Sequence, residues 1–225
     1  MNNFQWAAGS VIGREHQWLN KNNQDAMLVT ETDDCLIGIV ADGCGSQPHS
    51  EVGAWLGVNL LAEAIAAHTP EPLTPETFHL LGEKVLAQLL KITNFQQYYL
   101  FTLLGFIATK EDVFIFGCGD GIYAFNGDIK QLSFPENAPP YLIYPSTKLE
   151  LYDQIEISQL DSLLIATDGI EDWLRKKEIN EFWQSEKYFK NPDQVRRRLA
   201  IANKKEHLLK DDTTLISVRR QEEEV

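Results

Sequence analysis

With 225 residues, 44% of them hydrophobic, the chain is long enough to fill one substantial core. A formal net charge of −13 makes nucleic acid and anionic membrane surfaces poor partners, because the long-range field repels phosphates; any phosphate must be gripped locally. No apolar run reaches bilayer length, Met1-Asn2-Asn3-Phe4-Gln5 lacks the regions of a signal peptide, and Cys35, Cys44 and Cys118 lack zinc-site spacing, so a cytoplasmic protein with reduced thiols is expected.

In chain order, residues 4–11 and 26–30 have strand character, and 36–41 is a short apolar run of the fully buried kind. From Ser50 the pattern changes. Val52, Trp55, Leu56, Val58, Leu61 and Ile65 predict a helix with a broad apolar face, stopped at Pro70 and Pro72. A second helix after Pro75 carries Phe78, Leu81, Val85 and Leu89 on one face. Strands follow at 98–109, 113–118 and 122–125, and Asn126-Gly127 is a strong hairpin signal leading into 129–132. Four prolines mark 134–148 as a loop within a domain rather than a linker. Helices are expected at 170–174, 177–186 and 193–202, then a closing strand at 214–218 and a frayed acidic tail at Glu222-Glu223-Glu224. Trp55, Trp173 and Trp183 are expected in the core, and Arg196-Arg197-Arg198 on a solvated helix face. No boundary interrupts the pattern, so 1–225 reads as a single α+β domain layered around an antiparallel or mixed sheet.

The chemistry-bearing residues are aspartates in Gly-containing turns after apolar runs. Asp42 follows Ile39-Val40-Ala41, Asp120 sits in Gly117-Cys118-Gly119-Asp120-Gly121, and Asp168 follows Leu164-Ile165-Ala166-Thr167. Asp211 and Asp212 precede the last strand. A buried strand ending in such a turn places the carboxylate on the rim of a sheet. One Asp-Gly turn is ordinary turn chemistry, but several carboxylates on one rim repel each other unless divalent cations lie between them. Hard oxygen donors select Mg²⁺ or Mn²⁺. An aspartyl-phosphate route wants a second carboxylate two residues on, where Cys44 and Ile170 stand. Ile122 fills the third-glycine place of a dinucleotide fingerprint, and no P-loop, His-Glu-x-x-His helix or Gly-x-Ser-x-Gly elbow occurs. What remains is a metal centre held by carboxylates.

Five motifs in order carry a family resemblance. They are Asn23-Gln24-Asp25-Ala26; Val40-Ala41-Asp42-Gly43-Cys44-Gly45-Ser46 with Ser50-Glu51-Val52-Gly53-Ala54; Gly119-Asp120-Gly121; Ala166-Thr167-Asp168-Gly169 with Asp172; and Asp211-Asp212-Thr213-Thr214. Together they resemble the metal-dependent protein phosphatases, the type-2C serine/threonine family, over residues 9–218. The resemblance implies a four-layer α-β-β-α sandwich whose two central, mostly antiparallel sheets carry two Mn²⁺ or Mg²⁺ ions at one end. By the same resemblance Asp42 bridges the ions, the Gly43 carbonyl serves one, and Asp168 and Asp211 serve the other. Asp25 stands at or just behind them, and Asp120 matches an aspartate that holds a third, weaker ion in bacterial relatives. The implied activity is hydrolysis of phosphoserine or phosphothreonine in a protein substrate by activated water, opposite a partner Ser/Thr kinase, in a monomer.

Departures from the family pattern are local. Gln24 stands where many members have glutamate, and Asn20 replaces the usual arginine, which leaves Arg14 and Lys21 as candidates for the phosphate. Gly121-Ile122 replaces Ser-Arg and Asp212 replaces Asn, changes that resemble an atypical bacterial subgroup. Cys44 takes the place of a histidine found in some members. Leaving-group protonation then falls to His16, His49 or water, although both histidines are expected to be surface or cap residues. Two other readings stay open: a pseudophosphatase serving as a regulatory binding module, and a hydrolase of small phosphomonoesters.

Overall fold

The apolar runs become the central strands of two five-stranded antiparallel sheets in the computed structural model, which describes residues 4–93, 95–191 and 193–221. The acidic tail expected to fray lies outside the described residues. In chain order the strands are β1 (Phe4–Val11), β2 (Ala26–Glu31), β3 (Leu36–Ala41), β4 (Leu103–Ala108), β5 (Asp112–Cys118), β6 (Gly121–Phe125), β7 (Asp128–Leu132), β8 (Glu150–Glu156), β9 (Ser162–Ala166) and β10 (Thr213–Arg220). One sheet has the order β1-β10-β9-β6-β7 and the other β2-β3-β4-β5-β8. The helices are α1 (Arg14–Trp18), α2 (Ser50–His68), α3 (Pro75–Ile92), α4 (Glu171–Leu174), α5 (Glu181–Gln184), α6 (Glu186–Lys190) and α7 (Gln194–Lys204).

Every residue of β3 and β4 is buried, and strand alternation explains why. Leu36 and Val40 of β3 point into a core shared between the sheets with Leu104, Phe106, Ile165, Ile216 and Val218. Ile37 and Ile39 point the other way, against Ala54, Val58 and Leu61 of α2 and Phe78 and Leu81 of α3. On the far side, Trp173, Phe182, Tyr188, Val195 and Leu199 pack on the first sheet through Leu164 and Leu215. Three apolar interfaces between four layers give the α-β-β-α sandwich. Among the described residues no helix is long and apolar enough to cross a membrane.

Local chemistry sets several boundaries. Thr74 caps α3, its Oγ1 accepting from Thr77 N–H at 3.3 Å, and Pro75 occupies the first turn, where no N–H partner is lost. Asn126 and Gly127 both have positive φ, 49° and 89°, the backbone needed for a two-residue hairpin between β6 and β7.

Four expectations need correction. The strand expected over 98–109 starts only at Leu103, because the chain first makes a short 3-10 turn, Gln96–Tyr99, with the Tyr99 hydroxyl bonded to the Leu89 carbonyl. The helix expected over 177–186 is instead the pair α5 and α6, broken at Ser185, whose φ of −88° and ψ of 112° are extended. Trp55 is 60% exposed on the outside of α2 rather than in the core, whereas Trp173 is fully buried and Trp183 is partly buried, packed against the same core cluster. His16, expected at the surface, is only 7% exposed.

Candidate metal centre

Strand register brings the motif aspartates to one end of the sandwich. Ala26 of β2 pairs with Ala41 of β3, so Asp25 just before the first and Asp42 just after the second are neighbours. In the other sheet Ala166 of β9 pairs with both Leu215 of β10 and Ile122 of β6, which puts Asp168, Asp211 and Asp120 on the matching rim. Asp42, Asp120, Asp168 and Asp211 line one cavity of about 290 Å³, together with Cys44, Gly45, Ser46, Thr102, Pro139 and Tyr141. Among the described residues, no lysine or arginine lines it. The loop between β7 and β8 supplies Pro139 and Tyr141.

The electrostatics are those of buried carboxyl groups crowded against one another. Asp42 is pushed well above the usual carboxylate range by burial, then by the neighbouring carboxylates of Asp25 and Asp168. Burial and Asp212 likewise raise Asp25, against hydrogen bonds from Thr214 and Thr167. Asp120 is raised to about 7 by burial and by Asp168. Packing against the rim and then Asp168 raise Asp211, against a hydrogen bond from the Asp212 backbone. Asp25 Oδ2 accepts from Thr167 Oγ1 at 2.8 Å, but Asp25 Oδ1 and Asp168 Oδ1 are buried without a partner. Orphaned carboxylate oxygens facing other carboxylates fit hard divalent cations and little else.

Backbone contacts hold the ring. Thr102 N–H donates to the Asp42 carbonyl at 2.8 Å, and Gly43 N–H donates to the Gln24 carbonyl at 3.2 Å. A Cβ on Gly43 would stand 2.6 Å from that same carbonyl, so close approach requires glycine there. The Gln24 side chain turns toward α2, donating to Ser50 Oγ at 2.6 Å and to the Gln47 carbonyl at 3.0 Å. Neither cation considered for the phosphate lines the cavity: Lys21 Nζ donates to the Gly45 carbonyl at its lip, and Arg14 Nε donates to the Leu209 carbonyl at 3.3 Å. His49 is exposed, in a left-handed conformation just before α2. The Cys44 thiol, although its burial opposes this, is lowered by hydrogen bonds from Ser46 and Tyr141.

Sequence reasoning missed Asp212 and His16 as a pair. Asp212 is 2% exposed and accepts from Gly13 N–H, Gln24 N–H and His16 Nδ1. Ligand atoms of His16, Asp211 and Asp212 lie within 4.8 Å of one another, close enough to suggest a metal triad. The three donors already engage both Asp212 oxygens, so that carboxylate is a structural acceptor. The partners are 196 residues apart, and no local pattern announces them.

Residues 12–210 match the family model described as Protein phosphatase 2C. A bacterial serine phosphatase superposes with a TM-score of 0.74 at 16% identity, covering 98% of this chain and 99% of that one. The serine/threonine phosphatase Stp1 from Staphylococcus aureus gives 0.67 at 16% identity over 95% and 94%. The Mycobacterium tuberculosis serine/threonine phosphatase PstP/Ppp gives 0.63 at 13% over 98% and 100%. Identities this low show a shared fold. No curated protein sequence matches the chain significantly.

Proposed function

The chain belongs to the protein phosphatase 2C family, and from that premise we propose that it hydrolyses phosphoserine and phosphothreonine in proteins, with Mn²⁺ or Mg²⁺ as cofactor. The observation that carries the reading is the convergence of Asp42, Asp120, Asp168 and Asp211 on one cavity that no described lysine or arginine lines, with Asp25 behind and two carboxylate oxygens buried without partners. Asp42, the Gly43 carbonyl, Asp168 and Asp211 would hold two ions, Asp25 would support them, and Asp120 would serve a third. When bound, such cations supply the positive charge that acidifies water and neutralises phosphoryl oxygens.

The chain's own contribution is positioning and shape. Thr102 and Thr167 fix Asp42 and Asp25 by the hydrogen bonds above, and the lip 44–46 with Tyr141 walls the cavity. Lys21, bonded at that lip, and Arg14, bonded to the Leu209 carbonyl outside the cavity, are the cations proposed to meet the substrate phosphate. A cytoplasmic monomer opposing a Ser/Thr kinase completes the reading.

Turnover of a phosphothreonine peptide with Mn²⁺ tests it, comparing the wild type with Asp42→Asn. Metal-dependent turnover that falls about 100-fold or more in the variant is expected. A folded wild type that binds Mn²⁺ without turnover would instead support the pseudophosphatase, a reading to which Asn20 and the diverted Gln24 side chain contribute. Preference for a small phosphomonoester over the peptide at equal concentration would point to a small-molecule hydrolase.

A further inference from the structure

We propose that His16 is a positioning residue for this centre, acting through Asp212 without touching substrate; the inference rests on the metal-dependent reading above. Asp212 Oδ1 accepts from Gly13 N–H at 2.7 Å, and its Oδ2 accepts from Gln24 N–H at 2.6 Å and from His16 Nδ1 at 2.8 Å. With a carboxylate as its partner, Nδ1 is the ring nitrogen that carries the proton. One buried acceptor thereby ties together three distant stretches: the start of α1, the turn before β2 and the turn before β10.

Two of those stretches carry site carboxylates. Gln24 is followed directly by Asp25, and Asp212 N–H donates to Asp211 Oδ1 at 2.8 Å. The opposite edge of the imidazole faces the cavity lip: a Cβ added at Gly45 would stand 3.3 Å from Nε2. The ring therefore lies between Asp212, to which it is bonded, and the lip. His16 is the one side-chain donor to Asp212 among the described residues. Its removal leaves Asp212 Oδ2 with a single backbone donor and loosens Asp25 and Asp211 together. Groups that orient ligands in this way typically alter metal affinity 10–100-fold.

The test is Mn²⁺ titration calorimetry on the full chain, wild type against His16→Ala, His16→Asn and His16→Gln. The amide nitrogen of Asn can take the place of Nδ1, whereas that of Gln takes the place of Nε2. Weakening of about 10–100-fold in Ala and Gln, with Asn keeping most of the affinity, is expected. In peptide turnover, His16→Ala should regain its kcat as Mn²⁺ is raised. A readout without metal accompanies these: exchange of the Gly13 and Gln24 amide protons should be slow in wild type and Asn and faster in Ala and Gln. Equal Mn²⁺ affinity in all four chains, or rescue by Gln as good as by Asn, overturns the proposal. Should His16→Ala fail to fold, the Asn and Gln variants alone make the comparison. Should the wild type not bind Mn²⁺, the metal-dependent reading fails by itself, and unchanged amide exchange in the variants would still overturn the clamp.

Discussion

Gly119 and Gly121 hold Asp120 between two backbones with φ of 100° and 140°, a geometry L side chains rarely adopt. A Cβ on Gly119 would also meet Thr102 Cγ2 at 2.6 Å. Asp120 is thus forced into the rim, 7% exposed, with its carboxyl raised to about 7. An unfolded aspartate ionises near 4, so between about pH 4 and 7 the metal-free folded chain holds a proton that the unfolded chain has lost. Stability of the metal-free protein therefore falls as pH rises through that window. The penalty has an upper bound on the order of 4 kcal/mol. Asp120→Asn, neutral at every pH, should raise the Tm in chelator by several degrees at pH 8 and leave it nearly unchanged at pH 4. An equal shift at both pH values would remove ionisation as the cause. At this scale the aspartates in Gly turns were legible because the turn chemistry is local. Asp212 and His16 were not, since each is defined by a partner almost the whole chain away.

At the scale of elements, α2 was legible as a helix but not in its orientation. Its sequence is apolar nearly all round, so periodicity leaves the buried face open, and the small residues decide it. A Cβ on Gly53 would overlap the Tyr98 carbonyl, and one on Gly57 would run into the Phe101 ring, so the glycine side is the one pressed against the 3-10 turn. Val52 and Trp55 are left outside, 42% and 60% exposed. Gly53→Ala should therefore destabilise by about 3 kcal/mol in urea unfolding despite alanine's better helix propensity. Trp55→Ala should stay within about 0.5 kcal/mol. The reverse ranking would mean that α2 packs through its tryptophan. Strand β8 went unread for a related reason: Glu150, Asp153, Gln154 and Glu156 make it a polar edge strand, a charge pattern that guards a sheet edge while hiding the strand signal.

For the whole molecule, the decisive contacts join the two ends of the chain. β1 pairs with β10 from Phe4 opposite Arg220 to Val11 opposite Thr213, and this closes the sheet whose rim carries Asp168 and Asp211. Motif order suggested that rim, but the partnering of strands some two hundred residues apart has no signature in local periodicity. The same closure concentrates part of the net charge of −13 into one small cavity, where burial makes repulsion strong and salt screening weak. Cations that bind the folded rim and not the unfolded chain must then stabilise the fold by linkage, about 2.7 kcal/mol at a concentration 100 times Kd. In a domain of this size that is roughly 5–10 °C in Tm. Mn²⁺ titrated into the chelator-stripped protein should give this rise, and Asp168→Asn should abolish most of it. Sodium chloride at matched ionic strength screens all the surface charges alike, so it should give little of the rise. If the salt reproduced the full shift, or if Asp168→Asn kept it, the stabilisation would belong to the general acidity of the surface and not to the rim.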